Sequence, residues 1–97
     1  MKANFSARGT VVEQVLQIAL EGLRNAWRHG RARLVKIDIH SADDMINITV
    51  GDDGVGFRDS STAPWAIASR VAEVGGELKI ESGAGAGARL EIQMPVT

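Results

Sequence analysis

The chain has 97 residues, 44% of them apolar and 24% charged, with a net charge of −1 and no cysteine. That length supports one domain with one modest core, and the near-neutral charge gives no general field for nucleic acid or an anionic membrane surface. Disulfides, thiolate metal sites and thiol nucleophiles are excluded, which suits a cytoplasmic setting, and no apolar run approaches the ~20 residues of a membrane span.

Residues 1–9 alternate weakly and predict a short edge strand. Thr10 and Glu13 have the spacing of a capping box, so a helix is expected from that point to His29. Val12, Val15, Leu16, Ala19, Leu23, Ala26 and Trp27 fall on one broad face of it. Glu21, Arg24, Asn25, Arg28 and His29 fall on the other, and Gly30 stands where a helix end favours positive φ. Val35, Ile37 and Ile39 then alternate with Lys36, Asp38 and His40, and Ile46, Ile48 and Val50 with Asn47 and Thr49. A turn at Asp43 and Asp44 makes the two strands a hairpin.

Residues 51–57, Gly-Asp-Asp-Gly-Val-Gly-Phe, cannot be regular throughout, and 58–63 are small and polar, hence loop. Pro64 suits the first turn of a second helix carrying Trp65, Ala68, Val71 and Ala72, which Gly75 and Gly76 end. Leu78 and Ile80, then Leu90, Ile92 and Met94, give the apolar faces of two further strands around a Gly83–Gly87 connection. The order helix, strand, strand, helix, strand, strand predicts an α+β domain. It is a two-layer sandwich, with a mixed, mainly antiparallel sheet covered on one face by helices.

Three groups of residues carry chemistry. Glu21, Asn25 and Arg28 stack along one polar helical stripe, where a carboxylate, an amide oxygen and a guanidinium suit a Mg²⁺–polyphosphate; a solvated helix face is the plainer reading. Asp52, Gly54 and Gly56 end a strand. The glycines let backbone approach a flat ligand, and the carboxylate accepts a hydrogen bond from an exocyclic amine, which selects adenine over guanine; the alternative is an acidic surface turn. Gly83, Gly85 and Gly87 are followed by no Lys and lead into a strand, so they make neither a phosphate loop nor a dinucleotide fingerprint; a permissive hairpin remains, with room for a nucleotide against backbone.

Taken in order, these pieces resemble the ATPase domain of bacterial sensor histidine kinases, of the GHKL or Bergerat-fold superfamily. Glu21-Gly-Leu-Arg-Asn25-Ala-Trp-Arg28-His29 resembles its N box, and Val50-Gly-Asp52-Asp53-Gly54-Val55-Gly56-Phe57 its G1 box. Residues 70–82 resemble the helix-to-strand segment, and Gly85-Ala-Gly87-Ala88 stands at the final glycine box. The likeness runs from about Thr10 to Pro95 and is nearest to the kinases that feed helix-turn-helix response regulators.

The resemblance implies a Bergerat-type sandwich with ATP between the helix layer and a mobile lid. It implies that Asn25 ligates Mg²⁺ and that Glu21 is the catalytic residue orienting or activating the attacking group. Arg28 and His29 neutralise phosphate, Asp52 takes the adenine amine, Gly54 and Gly56 shape that wall, and Gly85, Gly87 and Ala88 approach the nucleotide. ATP and Mg²⁺ are the cofactors implied.

The sequence departs from the family in two places. Residues 58–65 hold no glycine where a second glycine box is usual, and Pro64 lacks an amide donor. Ala88 stands where the subfamily prefers Thr. Weak ATP binding and little or no turnover in isolation are therefore expected. The only histidines are His29, in the N box, and His40, on a strand, so no phosphoacceptor is present. Residues 1–97 are accordingly expected to form one ATP-binding domain, the C-terminal part of a longer, homodimeric and possibly membrane-anchored kinase. Its partners would be a phosphoacceptor-histidine dimerisation domain and a response regulator, with no nucleic acid and no direct membrane contact by this segment. The competing readings are a degenerate nucleotide-binding regulatory domain without kinase activity and a stand-alone serine kinase of the anti-sigma type.

Overall fold

The structure, a computed structural model, describes residues 2–5, 7–28, 33–54, 65–82 and 87–96, with the backbone alone at 25, 28, 65, 66 and 82. In chain order the elements are β1 (Lys2–Asn4), α1 (Gly9–Arg28), β2 (Val35–Ala42), β3 (Met45–Asp52), α2 (Trp65–Glu73), β4 (Glu77–Ser82) and β5 (Ala88–Pro95). The strands form one sheet in the order β1-β2-β3-β5-β4. β1 runs parallel to β2, and the other neighbours are antiparallel. This is the mixed, mainly antiparallel sheet that the alternation implied.

Both hairpin and helix ends follow from local chemistry. Ala42 pairs with Met45, leaving a two-residue turn in which Asp43 and Asp44 both have positive φ, 53° and 61°. That pair of angles is the type I′ turn that matches strand twist, and Asp tolerates it better than most side chains. α2 closes on a glycine at φ 73°, with Gly75 N–H donating to the Ala72 carbonyl at 3.1 Å and Gly76 N–H to the Val71 carbonyl at 2.9 Å. These are the two bonds of a Schellman end, which satisfy carbonyls the helix itself leaves unpaired.

The start of α1 corrects the capping-box expectation. The Arg8 carbonyl takes the first helical bond, from Val12 N–H at 2.9 Å, and Thr10 lies inside the first turn. A side chain already within the turn cannot cap it from outside.

The core lies between the helices and one face of the sheet. Val15, Ile18, Ala19 and Ala26 of α1 and Ile67 and Val71 of α2 are buried against Ile37 and Ile39, Ile46, Ile48 and Val50, and Leu90, Ile92 and Met94. Each large side chain of this set contributes ~1.5–3 kcal/mol by leaving water. No buried side chain among the described residues is charged or polar.

The buried face of α1 is rotated from the one the sequence suggested. Ile18 is fully buried and Gly22 is buried, while Leu16, Leu23 and Trp27 are exposed, as is Leu20. The apolar arc of α1 is wider than one packing face, and the sheet takes the flank where small residues permit close approach. In α2, Ile67 is in the core and Ala72 is exposed. Ile80 of the edge strand β4 is also exposed, since no helix reaches over it as fully as over Leu78. On the uncovered face, Arg89 pairs with Glu91 at 3.1 Å and His40 lies 3.7 Å from Asp38, so His40 is the exposed strand residue expected. Among the described residues no helix is long and apolar enough to cross a membrane.

Candidate nucleotide site

Three chain segments converge at one end of the sheet. β3 ends at Asp52, which pairs across the sheet with Val35, the first residue of β2, and with Ala88, the first residue of β5. Val35 follows the end of α1 after a short connection, so the last turn of α1 reaches the same end. Gly22 marks where α1 crosses β3: a Cβ there would meet Val50 Cγ2 at 3.0 Å. From that crossing, Asn25 lies one helical turn further along α1 and Asp52 two residues further along β3. Both advances are about 5–7 Å. Asp52 has the strand parity of Ile46, Ile48 and Val50, whose side chains face the helices, so it too stands on the helix-covered face.

The carboxylate of Asp52 is held in place by its own turn. Gly54 N–H donates to Asp52 Oδ1 at 2.8 Å, and Gly54 is buried. This bond sets the direction of the carboxylate and leaves Oδ2 as an acceptor. Gly87 backs onto the same residue. Its φ is 81°, and a Cβ at this position would run into the Asp52 carbonyl oxygen. A left-handed residue with no room for a side chain requires glycine. The third glycine group thus reaches the second through Gly87 and Ala88.

Asp53 does not share the role of its neighbour. It is exposed, and its Oδ1 accepts hydrogen bonds from Arg33 N–H at 2.9 Å and Leu34 N–H at 3.0 Å. Its own N–H donates to the Leu34 carbonyl at 3.3 Å. The amide of Leu34, then that of Arg33, hold the Asp53 carboxyl below the ordinary carboxylate value of 3.8. Nothing in the sequence spacing flagged this tie, because its partners are backbone groups nineteen and twenty residues away.

Glu21 is partly buried and accepts from Arg24 Nη1 at 3.2 Å, an i, i+3 pair on its own helix. Asn25 and Arg28 lie on α1, one and two turns beyond it, and their backbone alone is described. His29, Gly30, Gly56, Pro64 and Gly85 lie outside the described residues, as does the region 58–64. Among the described residues no three of His, Asp and Glu gather as a metal cluster. The donor set on α1 is one carboxylate and one amide, both hard oxygen donors, which suits an ion that keeps its waters and takes one or two protein groups.

Residues 10–97 match the histidine kinase-, DNA gyrase B- and HSP90-like ATPase family, and the chain belongs to it. It is 28% identical over 91 residues to the sensor histidine kinase LiaS of Bacillus subtilis, covering 89% of this chain and 25% of that protein. The fold superposes on the ATP-binding domain of PrrB from Mycobacterium tuberculosis with a TM-score of 0.73 at 18% identity, covering 100% of this chain and 81% of that one. For the blue-light-activated histidine kinase of Erythrobacter litoralis the TM-score is 0.71 at 20% identity, covering 98% and 35%. The relative and the two structures are thus sensor histidine kinases or an ATP-binding domain, and the family is one of ATPases. The chain spans a quarter of the length of LiaS and about a third of the light-activated kinase.

Proposed function

We propose that this domain binds Mg·ATP at the end of the sheet where Asp52, Gly54 and Gly87 meet the last turn of α1, and presents the γ-phosphate to a histidine on a separate dimerisation domain. The convergence of the end of β3, the start of β5 and the end of α1 carries this reading. Asp52 Oδ2 would accept a hydrogen bond from the adenine amine, and Gly54, with Gly56, would let the base lie against backbone. In this reading Asn25 would offer its amide oxygen to the cation, and Arg28 and His29 would neutralise phosphate charge. Gly87 and Ala88 lie against Asp52 on the other side, and Gly85 would approach the nucleotide with them. When bound, Mg²⁺ supplies charge neutralisation across the phosphates.

Glu21 is the catalytic residue in this reading. Its carboxylate is anchored by Arg24, and it would orient the attacking imidazole by accepting a hydrogen bond from its N–H. Transfer of this kind is mostly positioning, so a domain lacking the acceptor turns over little by itself. The parent kinase would be a homodimer that passes the phosphoryl group on to a response regulator and works in the cytoplasm.

The test supplies the acceptor in trans. The domain is mixed with labelled ATP, Mg²⁺ and a histidine-bearing dimerisation domain, and acid-labile phosphate on the acceptor is followed. Label transfer that Glu21→Ala abolishes supports the kinase reading. Nucleotide binding with no transfer to any histidine favours a regulatory domain that senses nucleotide, a reading to which the glycine-free stretch 58–65 also points. Label on a serine of a small partner favours the anti-sigma type.

A further inference from the structure

We infer that Asp53, the residue between the base-binding aspartate and its glycine, is a positioning residue that holds the cation-binding end of α1 in register with Asp52. The inference rests on the nucleotide site proposed above. It starts from a geometric problem: the base contact and the cation contact stand on different elements, so the distance between strand and helix must be fixed for one nucleotide to reach both.

α1 is fixed upstream where Gly22 meets Val50. Beyond that crossing Ala26 is buried and the helix runs to Arg28, and among the described residues that follow, Arg33 and Leu34 are hydrogen-bonded to Asp53. Asp53 does the holding with three hydrogen bonds, two to its carboxylate Oδ1 and one from its own N–H to the Leu34 carbonyl. Asp52 and Asp53 are adjacent, so the residue proposed to bind the base and the residue that anchors the exit from α1 move as one peptide unit. The chain is therefore joined to β3 or its continuation on both sides of the last turns of α1, at Gly22 and at Arg33 and Leu34. If the downstream tether is released, Asn25 and Arg28 can shift against Asp52 while the base contact survives.

Both amides donate to a single oxygen, Oδ1, so an asparagine can replace the acceptor and an alanine cannot. The 97-residue chain is titrated with a fluorescent ATP analogue with and without Mg²⁺, and amide hydrogen exchange is followed at residues 33 and 34. Asp53→Ala is expected to bind the analogue without Mg²⁺ as the unsubstituted chain does. It loses about tenfold of the affinity that Mg²⁺ adds, the size usual for outer supports of a metal site. Amide exchange at 33 and 34 speeds up in the same variant. Asp53→Asn keeps the Mg²⁺ gain within about twofold and keeps slow exchange, as retention of the acceptor requires.

An Asp53→Ala chain with the full Mg²⁺ gain overturns the inference, and so does an Asp53→Asn chain that behaves like alanine. These failures differ from failure of the site itself, which shows as an Asp52→Ala chain that binds as tightly as the original. A chain with no measurable nucleotide binding overturns both. Should Asp53→Ala fail to fold, Asp53→Ser, whose hydroxyl stops one bond short of the Oδ1 position, replaces it with the same expected and overturning results.

Discussion

Gly22 of α1 lies directly against Val50 of β3, with no room between them: a Cβ on residue 22 would approach Val50 Cγ2 to 3.0 Å and Cγ1 to 3.3 Å. This contact sets how deeply the helix sits on the sheet, and with it the height of Asn25 above Asp52. Gly22→Ala should leave stability nearly unchanged, because the ~1 kcal/mol gained in helix propensity offsets the crowding. Gly22→Leu should cost about 1–3 kcal/mol in urea unfolding by overpacking the crossing. It should also weaken nucleotide binding more than its stability loss explains.

Gly87 is the tightest point of the site. Its φ of 81° and the collision of any Cβ with the Asp52 carbonyl act together. Gly87→Ala should lower stability by roughly 2–4 kcal/mol, in the range of strain at a special backbone conformation plus a backbone clash. Thermal denaturation checks this, and a change below about 0.5 kcal/mol would show that the β5 start can move away from Asp52 at little cost.

The apolar residues of α1 divide into two sets that composition cannot separate. Ile18 is fully buried, whereas Leu20 is 47% and Trp27 73% exposed. Ile18→Ala should cost about 2–5 kcal/mol. Leu20→Ala should cost less than about 1 kcal/mol, since much of its side chain already meets water. Equal losses at the two positions in urea unfolding would mean that Leu20 packs as tightly as Ile18 and would contradict this division.

That division also shows what was legible in the sequence. The strands were readable because period-two alternation admits one buried face, and Ile46, Ile48 and Val50 could point only one way. The two Asp residues of the β2–β3 turn and the glycines ending α2 were readable for the same reason, since few residues tolerate positive φ. The buried face of α1 was not, because Leu16, Leu20, Leu23 and Trp27 make a second apolar stripe beside Ile18 and Gly22, and packing chose the smaller set. At the site, Asp52 and its glycines were legible as a motif. The tie from Asp53 to Arg33 and Leu34 was not, because it is written in backbone amides that carry no sequence signature.

Acid should expose the Asp53 tie. The amides of Leu34 and Arg33, with a smaller contribution from the Arg33 charge, lower the carboxyl from 3.8. Above 3.8 the group is ionised in both folded and unfolded chains, and its stabilising effect is fully present. As the pH falls below that value the unfolded chain takes up the proton first, and the effect is lost through the lowered folded value. The original chain should therefore be the more stable at about pH 6, and the gap to Asp53→Asn should narrow by about pH 3, read as urea midpoints. A gap that widens with acid would give the carboxyl the opposite shift.

The β2–β3 turn offers a stabilising change remote from the site. Asp44 holds φ at 61°, which glycine adopts without strain. Asp44→Gly should raise stability by up to about 1 kcal/mol, as Asp-Gly is a preferred type I′ pair. Nucleotide affinity should not change, because the turn lies at the opposite end of β3 from Asp52.

The account stands on Asp52 as the acceptor for the adenine amine. The most direct measurement is competition of ATP and GTP for the domain, with and without Asp52→Ala. The original chain should prefer ATP by about tenfold or more, the worth of one charge-assisted hydrogen bond, because guanine presents a carbonyl where adenine presents the amine. In Asp52→Ala the preference should vanish. Equal binding of ATP and GTP by the original chain, or a preference that survives the substitution, would contradict the account.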